Sequence, residues 1–416
     1  MKGIVSFCLS VCLSQSLFAH GLLEDFQYKP VLADLELLKS SQIPVLYSQD
    51  DIGVGYAVLT PEMQARLQHQ SHLLKRCGSF ESLEQYQGAG SVYDMNFIEA
   101  LLGDLAGVER RHQSYALAPF ALPQVEYRAE VAQALGQVEP ENMRAWVKWF
   151  SSFPNRYNKS TEPNEFVNQF YLKLEQVLAG ASDLAGVELE MVPHSTTKQH
   201  SLRVRVLGVT RPEEIIVLGG HLDSINGSSS TNMLAPGADD NASGSSNLIE
   251  ALRILLEQPR PERTVEFMWY AGEESGLLGS AEIAKAYKDE KKKVIAVLQL
   301  DMSLFPGSGA SIIASMTDFT SPWLRDYLKA LNKTYLNLTI LEDKCGYGCS
   351  DHASWHRQGF PALMPFEAGF SKMNQDIHTA RDVITSKSNF EHSALFTKIA
   401  LALALDLGSS DEKQPY

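Results

Sequence analysis

Two adjacent glutamates, Glu273 and Glu274, follow the apolar stretch "TVEFMWY" in the segment "YAGEESGLLGS". Neighbouring carboxylates at the exit of a buried strand repel each other and lose hydration, so a cation is a natural partner to stabilise them. Other residues of metal-binding type stand at similar boundaries of apolar or helical stretches: His221 and Asp223 in "GGHLDS", Asp239 and Asp240 in "PGADDNASG", Asp301 in "QLDMS", and His378 in "DIHTARD".

Imidazole and carboxylate groups in this mixture suit zinc, with manganese or cobalt as substitutes. Five ligands, one of them a shared carboxylate, would form two metal sites that each keep a position open for water. Two divalent ions and three ligand carboxylates leave one positive charge, which a bound hydroxide would neutralise near neutral pH. One glutamate of the pair could then bind metal while its neighbour accepts the proton of the metal-bound water.

Each of these residues could instead have an ordinary structural role. Asp240 or Asn241 could cap the helix that "ASGSSNLIEAL" predicts, and Asp301 could cap a loop. Thr379 or Asp382 could cap the last helix of the chain. A histidine after a strand can be an ordinary core residue, and a glutamate pair can be solvated.

The elements that would position these residues alternate from about residue 127. Apolar periodicity predicts helices at 127–138, 140–153, 165–181, 243–257 and 280–290. It predicts strands at 189–195, 201–209, 213–220, 264–270, 293–300 and 310–315. This pattern indicates an α/β fold with a mixed, largely parallel central sheet that helices cover on both faces. Ligands of such sheets gather beyond the carboxyl ends of the strands, where the residues above fall, and His378 is expected to open a further helix.

Six motifs follow one another between residues 219 and 382: "GGHLDS", "PGADDNASG", "AGEESGLLGS", "QLDM", "CGYGCSDHASW" and "IHTARD". As a set they resemble the bacterial secreted leucyl aminopeptidases, zinc exopeptidases of the family that also holds glutaminyl cyclases and glutamate carboxypeptidases. The resemblance covers residues 125–405 and implies two zinc ions per chain. By that resemblance the ligands are His221 and Asp301 for one ion, Glu274 and His378 for the other, and Asp240 as a bridge.

The resemblance also implies roles for the groups around the metals. Glu273 would be the general base, and later the general acid, as a zinc-bridging hydroxide attacks the first peptide bond, contributing about 10²–10⁴-fold. Asp223 would fix the imidazole of His221. Asn241 follows the bridging aspartate, where family members often have a cis peptide bond. The implied substrates are peptides with a free N-terminus, whose α-amino group would meet the metals and the acidic rim.

A substrate pocket is implied in the same way. Its lining would be Met302, Met316, Tyr347, Met364, Phe366, Phe370 and Ile377. The lining is apolar, which favours leucine, methionine or phenylalanine at the substrate's N-terminus. Met373 stands where close relatives have a tyrosine shortly before the "IHT" motif, and this favours a softer pocket edge and a broader substrate range.

The cysteines offer two readings. Cys345 and Cys349 in "CGYGC" could close a disulfide in an oxidising compartment. They could instead bind zinc, although no second Cys/His pair follows at the usual spacing. The family resemblance implies the disulfide, which would form one wall of the pocket. Cys77 would then have no partner.

The chain divides into three predicted parts. Residues 1–19, with one lysine and an apolar stretch before small residues, are typical of a signal peptide, so the protein is predicted to be secreted. Residues 20–122 would be a propeptide or a small N-terminal domain, and residues 123–410 the catalytic domain. Within the N-terminal part we expect helices at 30–40 and 60–76, short strands within 44–59, and a connector at 117–126.

Composition excludes some partners, and three other functions remain open. A net charge of −14 argues against a nucleic-acid surface or a polybasic membrane anchor. We also expect the protein to be a monomer. A glutaminyl cyclase-like acyltransferase would need one zinc ion. A carboxypeptidase for acidic peptides would need pocket arginines, and Arg381 is the one arginine within the motifs. A non-catalytic binding protein on this scaffold should lack a ligand or the base, and all are present.

Overall fold

The computed structural model describes residues 28–73, 80–83, 92–117, 125–227 and 233–409. The predicted signal peptide, residues 1–19, and Cys77 lie outside these ranges. Within them, none of the helices combines the length and the apolar character that crossing a bilayer requires.

The described residues from 28 to 117, here called the N-terminal unit, form an antiparallel sheet with strand order β2-β3-β1-β4. Its strands are β1 (Lys29–Asp34), β2 (Tyr47–Gln49), β3 (Val54–Leu59) and β4 (Glu81–Ser82). Its helices are α1 (Leu35–Ser40), α2 (Pro61–Leu73) and α3 (Met95–Leu117). The strands expected within residues 44–59 and the helix expected from residue 60 are therefore present.

The helix predicted over residues 30–40 is wrong in its first half, because that half is strand β1. The strand lies between β3 and β4, so that Leu32 pairs with Tyr56 and its side chain is buried. The side chain of Asp34 then accepts a hydrogen bond from the backbone N–H of Leu37 at 2.6 Å, which begins the helix after the strand.

Residues 125–227 and 233–409 form the C-terminal unit. Its helices are α4 (Ala129–Leu135), α5 (Pro140–Phe150), α6 (Pro163–Ala179), α7 (Ala242–Leu255), α8 (Leu278–Asp289), α9 (Pro322–Leu331), α10 (His352–Arg357) and α11 (Phe390–Gly408). Its strands are β5 (Val187–Val192), β6 (Ser201–Val206), β7 (Arg211–His221), β8 (Arg263–Tyr270), β9 (Lys293–Gln299), β10 (Ile312–Met316), β11 (Thr339–Asp343), β12 (Ala362–Leu363) and β13 (Pro365–Phe366). The helices and strands predicted between residues 127 and 315 all occur, with ends shifted by a few residues.

The central sheet has six strands in the order β12-β9-β7-β8-β6-β5. Strands β12, β9, β7 and β8 are parallel, whereas β6 and β5 add an antiparallel edge. This confirms the predicted mixed, largely parallel sheet. A second sheet has three strands in the order β11-β10-β13, and β12 of the central sheet lies between β11 and β13 in the chain.

Helices cover both faces of the central sheet, as predicted. Along β7, Ile216 and Leu218 belong to the larger apolar core, which includes residues of α4, α5, α6, α7 and α11. The alternate residues Ile215 and Val217 belong to a smaller core on the other face, with residues of α8 and α10. Each such side chain contributes about 1.5–3 kcal/mol when it is fully buried, so β7 is fixed from both faces.

Helix α11 is buried almost all round. Apart from Glu391, Leu395 and Lys398, every residue of this helix is buried. The helix begins at Phe390, and the side chain of Asn389 caps it by accepting the backbone N–H of His392 at 2.9 Å. His378 itself lies in a turn before this helix, so the expectation that it opens a further helix is wrong.

Candidate metal centre

Three adjacent parallel strands bring the predicted residues to one edge of the sheet. Strand β7 ends at His221, β8 leads into the short helical turn Glu273–Ser275, and β9 is followed by Asp301. Because β9, β7 and β8 are neighbours, their carboxyl ends lie side by side. Asp240 stands at the same edge, just before α7.

The structure places the five predicted ligands in two groups that share Asp240. In the first, Nε2 of His221 lies 3.0 Å from Oδ1 of Asp240 and 3.4 Å from Oδ1 of Asp301. In the second, Nε2 of His378 lies 2.8 Å from Oδ2 of Asp240 and 3.1 Å from Oε2 of Glu274. The two oxygens of Asp240 thus face different groups, which is the arrangement of a bridging ligand.

These separations fit zinc. Ligand atoms about 2.0–2.2 Å from a tetrahedral zinc ion lie roughly 3.3–3.6 Å from each other. The separations of 2.8, 3.0, 3.1 and 3.4 Å in the site lie at or somewhat below that range. Among the described residues, Oε1 of Glu273, Oε1 of Glu274 and Oδ1 of Asp301 are buried without a hydrogen-bond donor. Buried carboxylate oxygens of this kind are costly unless a cation is near them.

Burial raises the pKa of the two glutamates, whereas hydrogen bonds decide that of the bridging aspartate. Burial raises the pKa of Glu274 to about 7, and it raises the pKa of Glu273 well above its ordinary value although the charge of His221 opposes it. Burial also acts to raise the pKa of Asp240, but hydrogen bonds to His221 and His378 hold it below its ordinary value. The protein alone therefore stabilises the ionised form of the bridging aspartate.

Asp223 contacts both the first histidine and the predicted base. Nδ1 of His221 lies 3.1 Å from the backbone carbonyl of Asp223 and 3.6 Å from its Oδ1. The same Oδ1 accepts the backbone N–H of Glu273 at 3.0 Å. The carbonyl is thus the closer partner of the imidazole, and the carboxylate positions the turn of Glu273.

Three further side chains hold that turn, and the sequence analysis missed them. Oγ of Ser201 accepts the N–H of Ala271 at 2.9 Å, and Oε1 of Gln199 accepts the N–H of Gly272 at 3.2 Å. Oδ1 of Asn158 accepts the hydroxyl of Ser275 at 2.7 Å. These three side chains and Asp223, here called the polar clamp, accept four hydrogen bonds from residues 271, 272, 273 and 275, around the glutamate pair.

Asp240 is held through its backbone. The peptide bond between Asp240 and Asn241 is cis. The side chain of Asn241 accepts the N–H of Gly244 at 2.9 Å and thereby caps α7, so the expected cap role and the position next to the bridging aspartate coexist. The carboxylate of Asp382 accepts the N–H groups of Asp239 and Asp240, each at 3.0 Å. The alternative that Asp382 caps the last helix is therefore wrong.

Two other ligands are fixed by polar contacts. The hydroxyl of Ser350 donates to Oδ2 of Asp301 at 2.5 Å. The carbonyl of His378 accepts the N–H of Gly227 at 3.0 Å. Ser350 lies within the "CGYGCSDHASW" motif, so its position was visible in the sequence, but no spacing rule linked it to Asp301.

The seven predicted pocket residues meet in one apolar cluster beside the metal-ligand groups. Met302 and Ile377 are the chain neighbours of the ligands Asp301 and His378. The cluster also contains Met373 and the disulfide-bonded cysteines, and it consists of Met302, Ala314, Met316, Cys345, Tyr347, Cys349, Met364, Phe366, Met373 and Ile377, with Phe370 packed against it.

The cysteine pair forms the predicted disulfide. The Cys345 and Cys349 sulfurs are 2.05 Å apart and the two Cα atoms 6.2 Å apart. Both cysteines belong to the apolar cluster, so the bond lies against the predicted pocket residues. This geometry favours the disulfide over a zinc site at these two residues.

Arginine side chains do not provide a carboxylate clamp among the described residues of this cluster. Arg381 is exposed and pairs with Asp376 at 2.7 Å. Arg156, which is buried near the site, donates instead to backbone carbonyls, among them those of Leu222 and Pro236. Burial lowers its pKa to about 10 although nearby carboxylates, Asp382 first, oppose the shift.

Fold and site together define an α/β metallohydrolase. Comparison with known proteins identifies its family. Peptidase family M28 matches residues 204–404. A probable aminopeptidase of Saccharomyces cerevisiae, YDR415C, is 36% identical over 293 residues, which cover 69% of this chain and 78% of the yeast protein. Leucine aminopeptidase 1 of Aspergillus fumigatus is 36% identical over 297 residues, covering 68% of this chain and 75% of that protein.

A solved structure gives the same result. The crystal structure of the LapA aminopeptidase of Legionella pneumophila matches with a TM-score of 0.77 at 25% identity, covering 93% of this chain and 100% of that one. The chain belongs to peptidase family M28. Its enzyme class is that of a zinc-dependent aminopeptidase. The predicted family is confirmed, while its bacterial branch stays a prediction because the two sequence relatives above are fungal.

Proposed function

We propose that this enzyme uses two zinc ions to remove hydrophobic residues such as leucine from the N-terminus of peptides. The observation that carries the proposal is the pair of ligand groups that share Asp240, beside an apolar cluster and a buried glutamate. His221 and Asp301 would hold one ion and Glu274 and His378 the other. When bound, the ions would polarise the scissile carbonyl and make an attacking water more acidic.

Glu273 is the proposed proton carrier. It is buried, it is adjacent in sequence to the ligand Glu274, and burial raises the pKa of its carboxyl group. It would take one proton from the attacking water and give it to the nitrogen of the leaving amine as the peptide bond breaks. Base and acid catalysis of this kind contributes about 10²–10⁴-fold, provided the carboxylate is held in place.

The site also supports an exopeptidase rather than an endopeptidase. Its carboxylates attract the ammonium group of a free N-terminus, which an internal peptide bond lacks. The neighbouring apolar cluster offers contacts to the first side chain. Met373, a buried member of that cluster, is flexible and favours tolerance for several apolar side chains.

The test is to measure hydrolysis of aminoacyl-nitroanilides together with zinc content per chain. We expect two zinc ions, loss of activity with a chelator, and a preference for leucine, methionine or phenylalanine over glutamate. Glu273→Ala should retain both ions and lose about 10²-fold or more of kcat. Asp240→Ala, the matched ligand variant, should lose zinc as well.

Each result separates this proposal from its alternatives. Full turnover by the Glu273 variant would remove the assigned base. One zinc ion per chain, with activity on N-terminal glutamine, would favour the glutaminyl cyclase-like acyltransferase. Two bound ions without hydrolysis of any nitroanilide would favour a binding protein.

We also propose that the protein is exported and loses residues 1–19. The lysine and the apolar stretch of that segment support the proposal. Determining the N-terminal residue of the protein recovered outside the producing cell tests it, and a chain that keeps Met1 in the cell would contradict it.

A further inference from the structure

The N-terminal unit contacts the turn that carries the glutamate pair. The backbone N–H of Ser82 donates to the carbonyl of Gly276 at 3.4 Å, two residues beyond Glu274. A Cβ atom on Gly276 would lie 2.9 Å from both Cε2 and the carbonyl oxygen of Phe80. Gly276 has a φ of 109°, so glycine permits both the backbone path and the close approach of Phe80.

Phe80 is fixed by the fold of the N-terminal unit. Its side chain is 5% exposed and belongs to the apolar cluster that also contains Val31, Leu37 and Ala57 of that unit. The residue therefore connects the core of the N-terminal unit directly to the turn after Glu274. A displacement of this unit would remove the contact from Gly276.

A buried ion pair anchors the same segment. Glu81, between Phe80 and Ser82, pairs with Arg357 at the end of α10, and the two side chains are 2% and 7% exposed. A Cβ atom on Gly348 would lie 2.8 Å from Nη2 of Arg357, so this arginine also touches the loop that the disulfide closes. Beside the pair, Nε2 of His356 lies 2.8 Å from Oε2 of Glu109 in α3.

Separation of the two units would leave Glu81 and Arg357 without each other. Burial raises the pKa of Glu81 while Arg357 opposes the shift, so the charged carboxylate depends on this arginine. Both groups would return to water if the units separated, so the pair fixes how the units fit together more than it adds to the stability of their interface. Helix α3 adds packing against α9 and α10. The ion pair, the Phe80 contact and this helix packing together form a specific interface between the two units.

We propose that the N-terminal unit is a permanent part of the active enzyme, in which Phe80, Glu81 and Arg357 position the turn of Glu273. This rests on the proposed function of Glu273 as the base. It selects the small domain from the two roles that the sequence left open for residues 20–122. The match to the Legionella structure covers 93% of this chain, more than the C-terminal unit alone supplies, so that aminopeptidase carries an equivalent region.

The first experiment asks whether the units stay together. A protease site is inserted between the two units, within residues 118–124 of the full chain. The protein is then cut and passed through gel filtration. We expect both pieces to elute together with unchanged kcat. Separation of the pieces with equal or higher kcat would overturn the proposal, because the N-terminal unit would then be dispensable or inhibitory.

The second experiment tests positioning in the intact chain. Phe80→Ala and Glu81→Gln should each lower kcat about tenfold or more, with KM for leucyl-nitroanilide and the zinc content unchanged. Phe80→Leu, which keeps an apolar contact, should restore most of kcat. Leu37→Ala removes a fully buried side chain of the same apolar cluster, and it should leave kcat unchanged below its own melting temperature.

The outcomes are distinct from a failure of the proposed function. Wild-type kcat in Phe80→Ala and Glu81→Gln, or an equal loss in Leu37→Ala, would overturn the positioning role while the aminopeptidase assignment stands. A loss of zinc in the two variants would also overturn it, because the contacts would then support the ligands and not the base. If the wild-type chain hydrolysed no aminoacyl substrate, the proposed function would fail, whereas gel filtration would still report on the interface.

Discussion

Replacement of Asp223 separates two effects that one carboxylate has on the site. Its Oδ1 accepts the N–H of Glu273 at 3.0 Å and lies 3.6 Å from Nδ1 of His221. Asp223→Asn keeps an oxygen that can accept the N–H but removes the charge. Asp223→Ala removes both. In either variant the backbone carbonyl of residue 223 can still accept from His221, which it meets at 3.1 Å.

The magnitude follows from the buried N–H that Asp223→Ala would leave unsatisfied. Such a group costs about 1–3 kcal/mol, which corresponds to roughly 5- to 150-fold if the turn shifts to relieve it. Replacing the outer partner of a metal ligand costs about 10–100-fold in affinity or activity. Because the carbonyl still orients His221, we expect Asp223→Ala to lose about 10–100-fold of kcat with zinc content near that of the wild type, and Asp223→Asn to lose a few-fold.

The assay is initial-rate hydrolysis of leucyl-nitroanilide, with zinc measured on the same samples. Asp183→Ala, at an exposed position, is the control and should behave like the wild type. A kcat of Asp223→Ala within twofold of the wild type would refute the positioning of the turn. A fall in kcat that only matches a fall in bound zinc would show that the carboxylate acts on the metal site and not on Glu273.

Four further predictions follow from the structure. A chelator should abolish activity and lower Tm by at least ~5 °C, and zinc should restore both; an unchanged Tm would show that the ligand groups hold no ion. Phe170→Ala should lower the free energy of unfolding in urea by about 3–5 kcal/mol, because the centroid of this fully buried ring lies 5.0 Å from that of Phe150 and 5.3 Å from that of Trp269. A decrease under about 1 kcal/mol would contradict that packing. Replacing Cys345 and Cys349 by serine should raise KM for leucyl-nitroanilide without releasing zinc, and an unchanged KM would remove the disulfide from the pocket wall. Met373→Tyr should lower kcat/KM for phenylalanyl-nitroanilide more than for leucyl-nitroanilide, and an equal change for both would place residue 373 outside the pocket.

The five ligands were assigned through the family resemblance, and three of them, His221, Glu274 and Asp301, also stand at or just after the ends of apolar strand patterns. His221 and Asp301 directly follow stretches that only a buried strand explains, and parallel strands must align their carboxyl ends. The polar clamp could not be predicted in this way. Gln199 and Asn158 are 73 and 117 residues from their partners, Gly272 and Ser275, and nothing in their local sequence marks them.

The errors have similar causes. Residues 30–34 are apolar enough for a helix or a strand, and pairing with β3, a non-local contact, decides between them. His378 does not open a helix and Asp382 does not cap one, because the carboxylate of Asp382 accepts the backbone N–H groups of Asp239 and Asp240 instead. The conformation of both segments depends on contacts with residues far away in the sequence, so local propensity alone could not predict it.

Helix α11 bears on how the protein comes into being. Its buried residues complete the larger core on which β7 and β8 rest, yet it is the last helix that the ribosome releases among the described elements. Synthesis proceeds at about 5–20 residues per second, so the larger core stays incomplete until the residues of α11 have been made. A chain cut before α11 would therefore lack part of the core that supports β7, the strand that ends at the ligand His221.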